Sequence, residues 1–322
     1  MKFATIGHLD NNDILLKSLS KDWLKDEIIS SPELNFDGAE GHFIAIKLTP
    51  RQMMNLPKEE VRQKILEAVN FAQDQLGVEL IQLGALTTSV TCGGKWIEKQ
   101  VDYRGYVNHG DSYTASVTCQ AVMKTLKQIN KDPENLVLAI VGCYGIIGEA
   151  VSKILVPKFE KSILIGRQRN KLNKLTEELD EKVEAYTSIK TKDVDVIVTA
   201  TNHPDALLKP SHLKKNAVVI DVSQPVNLSP DICQERPDVI RIDGGYVDFK
   251  SDFRLPGAPP GKIFSCIAEV IMQAKEENYE NHVGAIDLDY LEKVTKWGKK
   301  YGYFLRTLTN FGKKVDLGRK KS

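Results

Sequence analysis

The sequence has no long apolar run and no leader-like start. No stretch approaches the roughly 18 consecutive apolar residues that a membrane-spanning helix needs. The opening residues Met1 to Gly7 do not form a signal peptide, because Gly7, His8 and Asp10 interrupt the apolar character at once. We therefore predict no transmembrane segment and a cytoplasmic location.

An excess of charge of either sign is also missing. The 322 residues include 44 Lys and Arg against 43 Asp and Glu, which gives a formal net charge of +1. A chain without a broad positive field is not expected to bind nucleic acid. Its length is sufficient for two domains, each with its own core.

Cysteines are few and are not paired in the sequence. There are 5 of them, an odd number with no Cys-x-x-Cys pair, which argues against a disulfide framework or a zinc knuckle. No group of His, Cys and carboxylates has the spacing of metal ligands, so we predict no tightly bound metal. Each cysteine can be either core filler or a nucleophile.

The chain is organised around a glycine-rich loop between a strand and a helix. The apolar run 136–141 leads into Gly142-Cys-Tyr-Gly145-Ile-Ile-Gly148 and then into a helix-compatible segment. In dinucleotide folds the first glycine lets the chain turn, the second admits the pyrophosphate and the third lets the helix pack on the sheet. The helix N-terminus offers free N–H groups to the phosphates. We predict an α/β fold with a Rossmann-type parallel sheet, and cofactor contacts from Gly142, Tyr144, Gly145, Ile146, Ile147 and Gly148.

The end of the second predicted strand indicates which cofactor binds. An NAD-binding unit usually has Asp or Glu there to hold the ribose 2′-hydroxyl. This strand, 162–165, is followed instead by Arg167 and Arg169. Guanidinium groups bind a 2′-phosphate through paired charge-assisted bonds, whereas a carboxylate would repel it. We predict NADPH as the cofactor; without the glycine loop, both arginines would be read as solvated loop charges.

Further apolar runs complete the predicted sheet. Residues 193–200, 217–222 and 238–242 read as buried parallel strands. Thr201 and Val222 follow two of them and are predicted to lie beside the nicotinamide half of the cofactor. We predict an N-terminal α/β substrate-binding domain over 1–131, a Rossmann NADPH-binding domain over 132–265, and C-terminal helices with a basic tail over 266–322.

The N-terminal half contains polar candidates for substrate contact. Thr87 and Thr88 follow the predicted strand 79–83, at the edge where open α/β sheets bind ligands. His109 and Tyr113 precede a predicted helix over 115–129 and could supply a proton or a hydrogen bond near a reacting carbonyl. The alternative is that the hydroxyls bond their own backbone and that His109 and Tyr113 are ordinary cap or surface residues.

Cys266 lies in or near the first turn of a helix that follows a Pro- and Gly-rich segment. At that position the helix dipole would lower the pKa of the thiol and raise its thiolate fraction. Glu269, one turn later, would oppose this effect if it faced the thiol. Spacing alone favours a buried core cysteine over a nucleophile.

Together these residues resemble the long-chain acyl-[acyl-carrier-protein] reductases, cyanobacterial enzymes that form fatty aldehydes. The similar stretches run from the amino terminus to about Phe304 and are Ile6-Gly-His-Leu9, Leu83-Gly84 with its hydroxyl run, Gly110 to Ala115, the glycine loop, Leu164 to Arg169, Gly244-Gly245, Phe264 to Glu269 and Tyr301-Gly302. In that family the cysteine in the position of Cys266 carries the acyl group as a thioester, and NADPH reduces it to the aldehyde. The resemblance therefore implies that Cys266 is catalytic and that the substrate is a fatty acyl thioester.

Three functions remain open at this stage. The first is an NADPH-dependent acyl-thioester reductase, with acyl-carrier protein or coenzyme A as the carrier. The second is a shikimate-dehydrogenase-like oxidoreductase for a small hydroxy or amino acid, with Cys266 only packed. The third is a cofactor-binding sensor without turnover. From Lys293 onward the chain is basic, which is typical of a solvated tail and would also suit docking of an acidic carrier protein.

Overall fold

The computed structural model of the protein describes residues 1–9, 28–179, 182–203, 205–250 and 257–317. Within these ranges the strands are β1 (Phe3–His8), β2 (Ile28–Ser30), β3 (Leu34–Phe36), β4 (Ala39–Ile46), β5 (Leu80–Leu83), β6 (Tyr106–Asn108), β7 (Val137–Val141), β8 (Lys161–Ile165), β9 (Val183–Tyr186), β10 (Val196–Thr199), β11 (Val218–Asp221), β12 (Ile240–Asp243), β13 (Tyr246–Asp248), β14 (Lys262–Phe264), β15 (Thr309–Asn310) and β16 (Lys313–Lys314). The helices are α1 (Pro50–Asn55), α2 (Lys58–Leu76), α3 (Leu86–Val90), α4 (Lys95–Glu98), α5 (Asp111–Gln128), α6 (Ile146–Leu155), α7 (Arg169–Glu177), α8 (Pro230–Glu235), α9 (Ser265–Lys275) and α10 (Leu288–Tyr301).

The chain forms two compact units, and each is built from two separate segments. The first unit comprises Met1–Tyr113 and Ser265–Tyr301, and the second comprises Thr114–Phe264 and Gly302–Ser322. The predicted segments 1–131, 132–265 and 266–322 are consecutive, whereas the residues after 265 are divided between the units. The reason is that α9 contacts β1, β4 and β5 of the first sheet, while β15 contacts β12 of the second.

The sheet of the first unit is mixed. Its strand order is β2-β4-β1-β5-β6, with β3 also paired to β4. The pairs of β1 with β4, β1 with β5 and β5 with β6 are parallel, while β2 and β3 run antiparallel to β4. The carboxyl ends of β1, β5 and β6 therefore share one edge, from which the loops to α3 and α5 begin.

Helix α2 shows how sequence periodicity builds this unit. Apolar residues recur every three or four positions, so one face of the helix is buried: Val61, Ile65, Ala68, Val69 and Ala72. The helix ends at Leu76 because Gly77 takes the left-handed conformation, with φ +66°. The spacing of these apolar residues and the glycine after them predict a helix over Lys58 to Leu76, and the structure confirms those bounds. On α9, the buried residues include Ile267, Ala268, Val270, Ile271 and Met272.

The six-stranded sheet of the second unit is entirely parallel, while β13 with β14 and β15 with β16 form two small antiparallel pairs. Its order is β12-β11-β10-β7-β8-β9, and every neighbouring pair is parallel. This is the doubly wound order of a dinucleotide-binding fold, in which the strand order reverses beside the first strand, here β7. The near-continuous apolar strands are explained by burial: each residue of β10 and β11 is buried. The predicted Rossmann fold is confirmed, and β9 is a strand that sequence reasoning missed.

The last described residues are folded onto the second unit. The Arg241 guanidinium, 2% exposed, donates to Asp243 at 2.6 Å and to Asp221 at 3.2 Å, and it lies 4.0 Å from the centroid of the Phe311 ring. The Asp243 carboxylate accepts from the backbone N–H groups of Phe311 and Gly312. Part of the predicted basic tail is therefore a docked segment rather than a solvated one. Lys313 and Lys314 are exposed on it, while Arg319, Lys320 and Lys321 lie outside the described residues.

In the part of the chain that the structure describes, no helix is both long enough and apolar enough to cross a membrane.

Candidate cofactor site and candidate thiol site

The glycine loop of the second unit has the geometry that a phosphate loop requires. Gly142 has φ +87°, and a side chain there would overlap the Ala200 carbonyl. A side chain on Gly148 would overlap the Gly142 carbonyl, so only glycine lets α6 approach the loop. Gly145 precedes α6 as its N-cap and has no side chain to bond the first N–H groups. These N–H groups of Ile146, Ile147 and Gly148 are the ones that a pyrophosphate would accept from.

The end of β8 places a phenol and three cations together. The Tyr144 ring covers Gly166, and its hydroxyl accepts from the Gln168 N–H at 2.8 Å. Lys171 Nζ lies 5.6 Å from the centre of the same ring. Arg167 is exposed, whereas Arg169 uses one N–H on the Ala185 carbonyl at 3.2 Å. The sequence analysis did not name Lys171 among the candidate cofactor-binding residues. The signal that could have identified it is its position in the helix turn directly after the two arginines.

Thr201 and Val222 lie at the carboxyl ends of the neighbouring strands β10 and β11, as the sequence predicted. The Thr201 N–H donates to Ser223 Oγ at 3.0 Å, and its hydroxyl donates to Asn227 Oδ1 at 2.7 Å. Val222 packs against Gly244, where a side chain would lie 2.7 Å from the Val222 Cβ. Their contact with a nicotinamide stays a prediction.

We expect Arg167→Ala to weaken NADPH binding about tenfold to a hundredfold, because a lost charge-assisted phosphate contact costs about 1.5 to 3 kcal/mol. NADH has no 2′-phosphate, so its affinity should be nearly unchanged. Fluorescence titration of both cofactors measures the effect. Arg169→Ala is the matched comparison, because one N–H of the Arg169 guanidinium already donates to the Ala185 carbonyl. Equal affinity of the unmodified protein for NADPH and NADH would contradict the assignment.

The candidate thiol lies in the first unit, where a loop closes on the start of α9. Cys266 is the second residue of α9 and is partly exposed. Gly110, with φ +72°, has no room for a side chain, since its Cβ would lie 2.5 Å from the Cys266 Cβ and 2.7 Å from its Cα. Gly110 is held in turn by the Asn108 side chain, whose Oδ1 accepts its N–H at 2.5 Å. The loop before α5 therefore fixes the backbone of Cys266.

The prediction that the helix N-terminus lowers the pKa of the Cys266 thiol is wrong. Burial, followed by the negative charges of Asp111 and Glu269, raises the pKa of the Cys266 thiol to about 12. The backbone N–H groups of Ile267 and Cys266 act in the opposite direction but are weaker. The helix N-terminus does favour the thiolate, but desolvation and two nearby carboxyls outweigh it.

Glu269 connects α9 to the start of α5. Its carboxylate is fully buried, and Oε2 accepts the Tyr113 backbone N–H at 2.6 Å, which caps the first turn of α5. Within the described residues, Oε1 is buried and has no hydrogen-bond partner, although Asn108 and Tyr290 are near enough to favour the ionised form. Burial nonetheless raises the pKa of Glu269 to about 7. The pKa of Asp111 is raised well above its usual range, first by burial and then by Glu269.

Four residues were predicted to bind substrate, and the structure places them as follows. The Thr87 hydroxyl donates to the Gly84 carbonyl at 2.7 Å, and the Thr88 hydroxyl donates to the Leu83 carbonyl at 2.8 Å, so both donor hydrogens are used on backbone. His109 is 1% exposed; its Nδ1 accepts the Asp111 N–H at 2.9 Å, and burial followed by His282 lowers its pKa to about 3. Tyr113 is 1% exposed, and burial raises its pKa. A substrate role for these four stays a prediction.

The fold and the loop define the class of the protein, and a family match agrees with them. The family model described as Shikimate / quinate 5-dehydrogenase matches residues 124–244, which contain the glycine loop and β7 to β12. The chain is an NAD(P)-dependent oxidoreductase. NADP(H) is the cofactor consistent with this match and with the arginines after β8.

Particular relatives are similar to the chain over longer stretches. A long-chain acyl-[acyl-carrier-protein] reductase of Synechococcus elongatus is 24% identical over 282 residues, 82% of either chain. The aminotransferase PigE of Serratia sp. is 26% identical over 256 residues, 76% of this chain but only 30% of that relative. Among solved structures, shikimate dehydrogenase of Aquifex aeolicus has a TM-score of 0.43 at 15% identity, with 92% of this chain and 97% of that chain covered.

Proposed function

We propose that the protein reduces a fatty acyl thioester to the aldehyde, with Cys266 as the group that carries the acyl chain. The observation that supports this most directly is the position of Cys266. Its sulfur lies at the first turn of α9, near its own N–H and that of Ile267, and Gly110 is pressed against its backbone. An acyl group on this sulfur would have backbone donors nearby for the oxygen of its carbonyl.

The chemistry of this chain's own residues is acyl transfer. Cys266 Sγ attacks the carbonyl carbon of the thioester, the carbon–sulfur bond to the carrier breaks, and the carrier leaves as a thiol after gaining a proton. The acyl group is then bound to Cys266, which divides one difficult displacement into two easier steps. Bound NADPH would supply the hydride that converts the acyl group to an aldehyde. The loop of Gly142 to Gly148 and Arg167 are the residues that would hold it.

The similarity to the Synechococcus reductase supports this substrate class because it extends over 82% of both chains. The carrier is proposed to be acyl-carrier protein or coenzyme A. The exposed Lys313 and Lys314 would suit an acidic carrier.

The second candidate is an oxidoreductase for a small hydroxy or amino acid that uses Cys266 only for packing. The family match over 124–244 favours it. That match covers most of the cofactor-binding unit and none of α9. It therefore supports hydride transfer by a bound cofactor but does not identify the substrate.

Trapping of the acyl group separates the two candidates. The purified protein is incubated with ¹⁴C-palmitoyl-acyl-carrier protein or ¹⁴C-palmitoyl-coenzyme A without NADPH, and covalent label is counted and located by mass spectrometry. We expect label on Cys266, its release as aldehyde when NADPH is added, and none on Cys266→Ala. The buried Cys119→Ala variant should label like the unmodified protein. An unlabelled, folded protein with either carrier would exclude acyl transfer and leave the second candidate.

A further inference from the structure

The thiol of Cys266 needs a proton acceptor. Its pKa is raised to about 12, so almost all of it is protonated at neutral pH, while the thiolate is the form that attacks. A group near Sγ must therefore remove the proton during attack. The charged groups that act on this thiol are Asp111 and Glu269. The other ionisable and hydrogen-bonding groups packed around Glu269 and the start of α5 come from β6, the loop before α5, α5, α9, α10 and the segment before α10: Asn108, His109, Tyr113, Gln273, His282 and Tyr290.

His109 is excluded as the acceptor by its hydrogen bond. Nδ1 already accepts the Asp111 N–H, so the neutral ring carries its hydrogen on Nε2. Burial keeps the ring neutral, because its pKa is lowered to about 3. His109 can donate a hydrogen bond from Nε2 but has no free lone pair to take a proton.

Glu269 has the geometry of an acceptor. It lies three positions after Cys266 on α9, and helical side chains tilt toward the N-terminus, so its carboxyl lies over the turn that contains Cys266. Its Oε2 reaches the Tyr113 N–H, next to the loop where Gly110 touches Cys266. Its Oε1 is buried and, among the residues that the structure describes, has no hydrogen-bond partner; Asn108 and Tyr290 are the nearest polar side chains. One oxygen is therefore available for a proton.

Asp111 and Glu269 differ in the pH at which each carboxyl loses its proton. Burial raises the pKa of both, but Glu269 accepts a backbone hydrogen bond that favours its carboxylate, while the pKa of Asp111 is raised further by Glu269 itself. The pair therefore holds its first proton on Asp111. Glu269 is the member that is ionised just above neutral pH.

We propose that the Glu269 carboxylate takes the proton from the Cys266 thiol as Sγ attacks, and returns it to the sulfur of the departing carrier. The first half concerns the thiol alone, and the second half rests on the proposed acyl transfer. One proton moves from Sγ to Oε1 while the bond from Sγ to carbon forms. The same proton moves to the carrier sulfur as its bond to carbon breaks.

The pH dependence of Cys266 alkylation tests the first half without any acyl substrate. The unmodified protein is treated with iodoacetamide between pH 6 and pH 10, and the rate at each cysteine is read by mass spectrometry. With Glu269 as acceptor, the Cys266 rate should rise through about pH 7, where the carboxyl loses its proton, and then stay level. A rate that climbs tenfold per pH unit up to pH 10 would overturn the proposal.

The Glu269→Gln variant keeps an oxygen that can accept the Tyr113 N–H, so the cap on α5 survives. Its Cys266 rate should fall about 10²-fold or more at pH 8 and lose the level region, rising instead with each pH unit. The exposed Cys92 is the internal control and should react alike in both proteins. Asp111→Asn should keep the level region; loss of it there, with Glu269→Gln unaffected, would assign the role to Asp111 and overturn this proposal.

Labelling of the same proteins with ¹⁴C-palmitoyl-coenzyme A tests the second half. If Glu269 returns the proton, label on Cys266 should form about 10²-fold more slowly in Glu269→Gln at pH 8. A level alkylation profile without any acyl label in the unmodified protein would sink the proposed function and leave the proton acceptor in place. Acyl label that forms equally fast in both proteins would overturn the proton return.

Discussion

Replacing Cys266 by serine should abolish aldehyde formation while folding and NADPH binding remain. Serine keeps nearly the size and shape of cysteine, but its hydroxyl is a far weaker nucleophile at neutral pH. Loss of a nucleophile of this kind lowers turnover by roughly 10³-fold or more. Thermal melting, NADPH titration and aldehyde release would be measured on the same purified variant.

If Cys266 contributes only to the packing of the core, the opposite outcome is expected. A buried hydroxyl in place of the thiol then costs about 1 to 3 kcal/mol of unfolding free energy, and turnover of the folded fraction is unchanged. Cys119→Ser provides this reference, because Cys119 is 7% exposed on α5 and is expected to contribute only to packing. A Cys266→Ser protein that melts early and still forms aldehyde would rule out the acyl-enzyme mechanism.

Gly110→Ala should disable the thiol site more strongly than any substitution that only strains the backbone. A Cβ at Gly110 would lie 2.5 Å from the Cys266 Cβ and 2.8 Å from its carbonyl oxygen, in a backbone with φ +72°. The strain costs about 1 to 2 kcal/mol, and crowding adds about 1 to 3 kcal/mol. Because the start of α9 must shift, acyl labelling of Cys266 should fall about 10²-fold.

Gly77→Ala separates the two causes in that experiment. Gly77 has φ +66°, close to that of Gly110, but a Cβ added at Gly77 would have nothing within 4 Å. Denaturant unfolding should therefore show only the strain cost, with acyl labelling unchanged. If Gly110→Ala lost no more stability than Gly77→Ala and labelled normally, the contact between the loop and Cys266 would have no role in placing the thiol.

Helices and strands whose bounds depend only on nearby residues could be predicted from the sequence. Periodic apolar residues and a terminal glycine gave the bounds of α2, and the glycine triplet placed β7 and α6 correctly. Strand β9 was missed because all four of its residues are only partly buried, so it has no apolar run to read. The start of α5 at Asp111 rather than residue 115 depends on a cap from Glu269, which no local pattern contains.

The electrostatics of the thiol could not be predicted for a related reason. Position at a helix start is visible in the sequence and favours a thiolate, whereas desolvation depends on what surrounds the thiol in the fold. Asp111 lies more than 150 positions before Cys266 in the chain, and only the fold brings the two groups together. The Thr87 and Thr88 hydroxyls are the opposite case: their acceptors are carbonyls within five residues, and the sequence already offered bonding to local backbone as the alternative to substrate contact.

The divided units set an order for folding during synthesis. The strands β1 to β6 leave the ribosome first, but α9 and α10, which belong to the same unit, follow about 150 residues later. Domains generally fold as units as they emerge, so the nascent first sheet must wait with the surface for α9 uncovered. That surface receives Ile267, Val270, Ile271 and other apolar side chains in the finished protein. Chains stalled before residue 265 should therefore depend on a chaperone such as a holdase to stay soluble, while full-length chains should not.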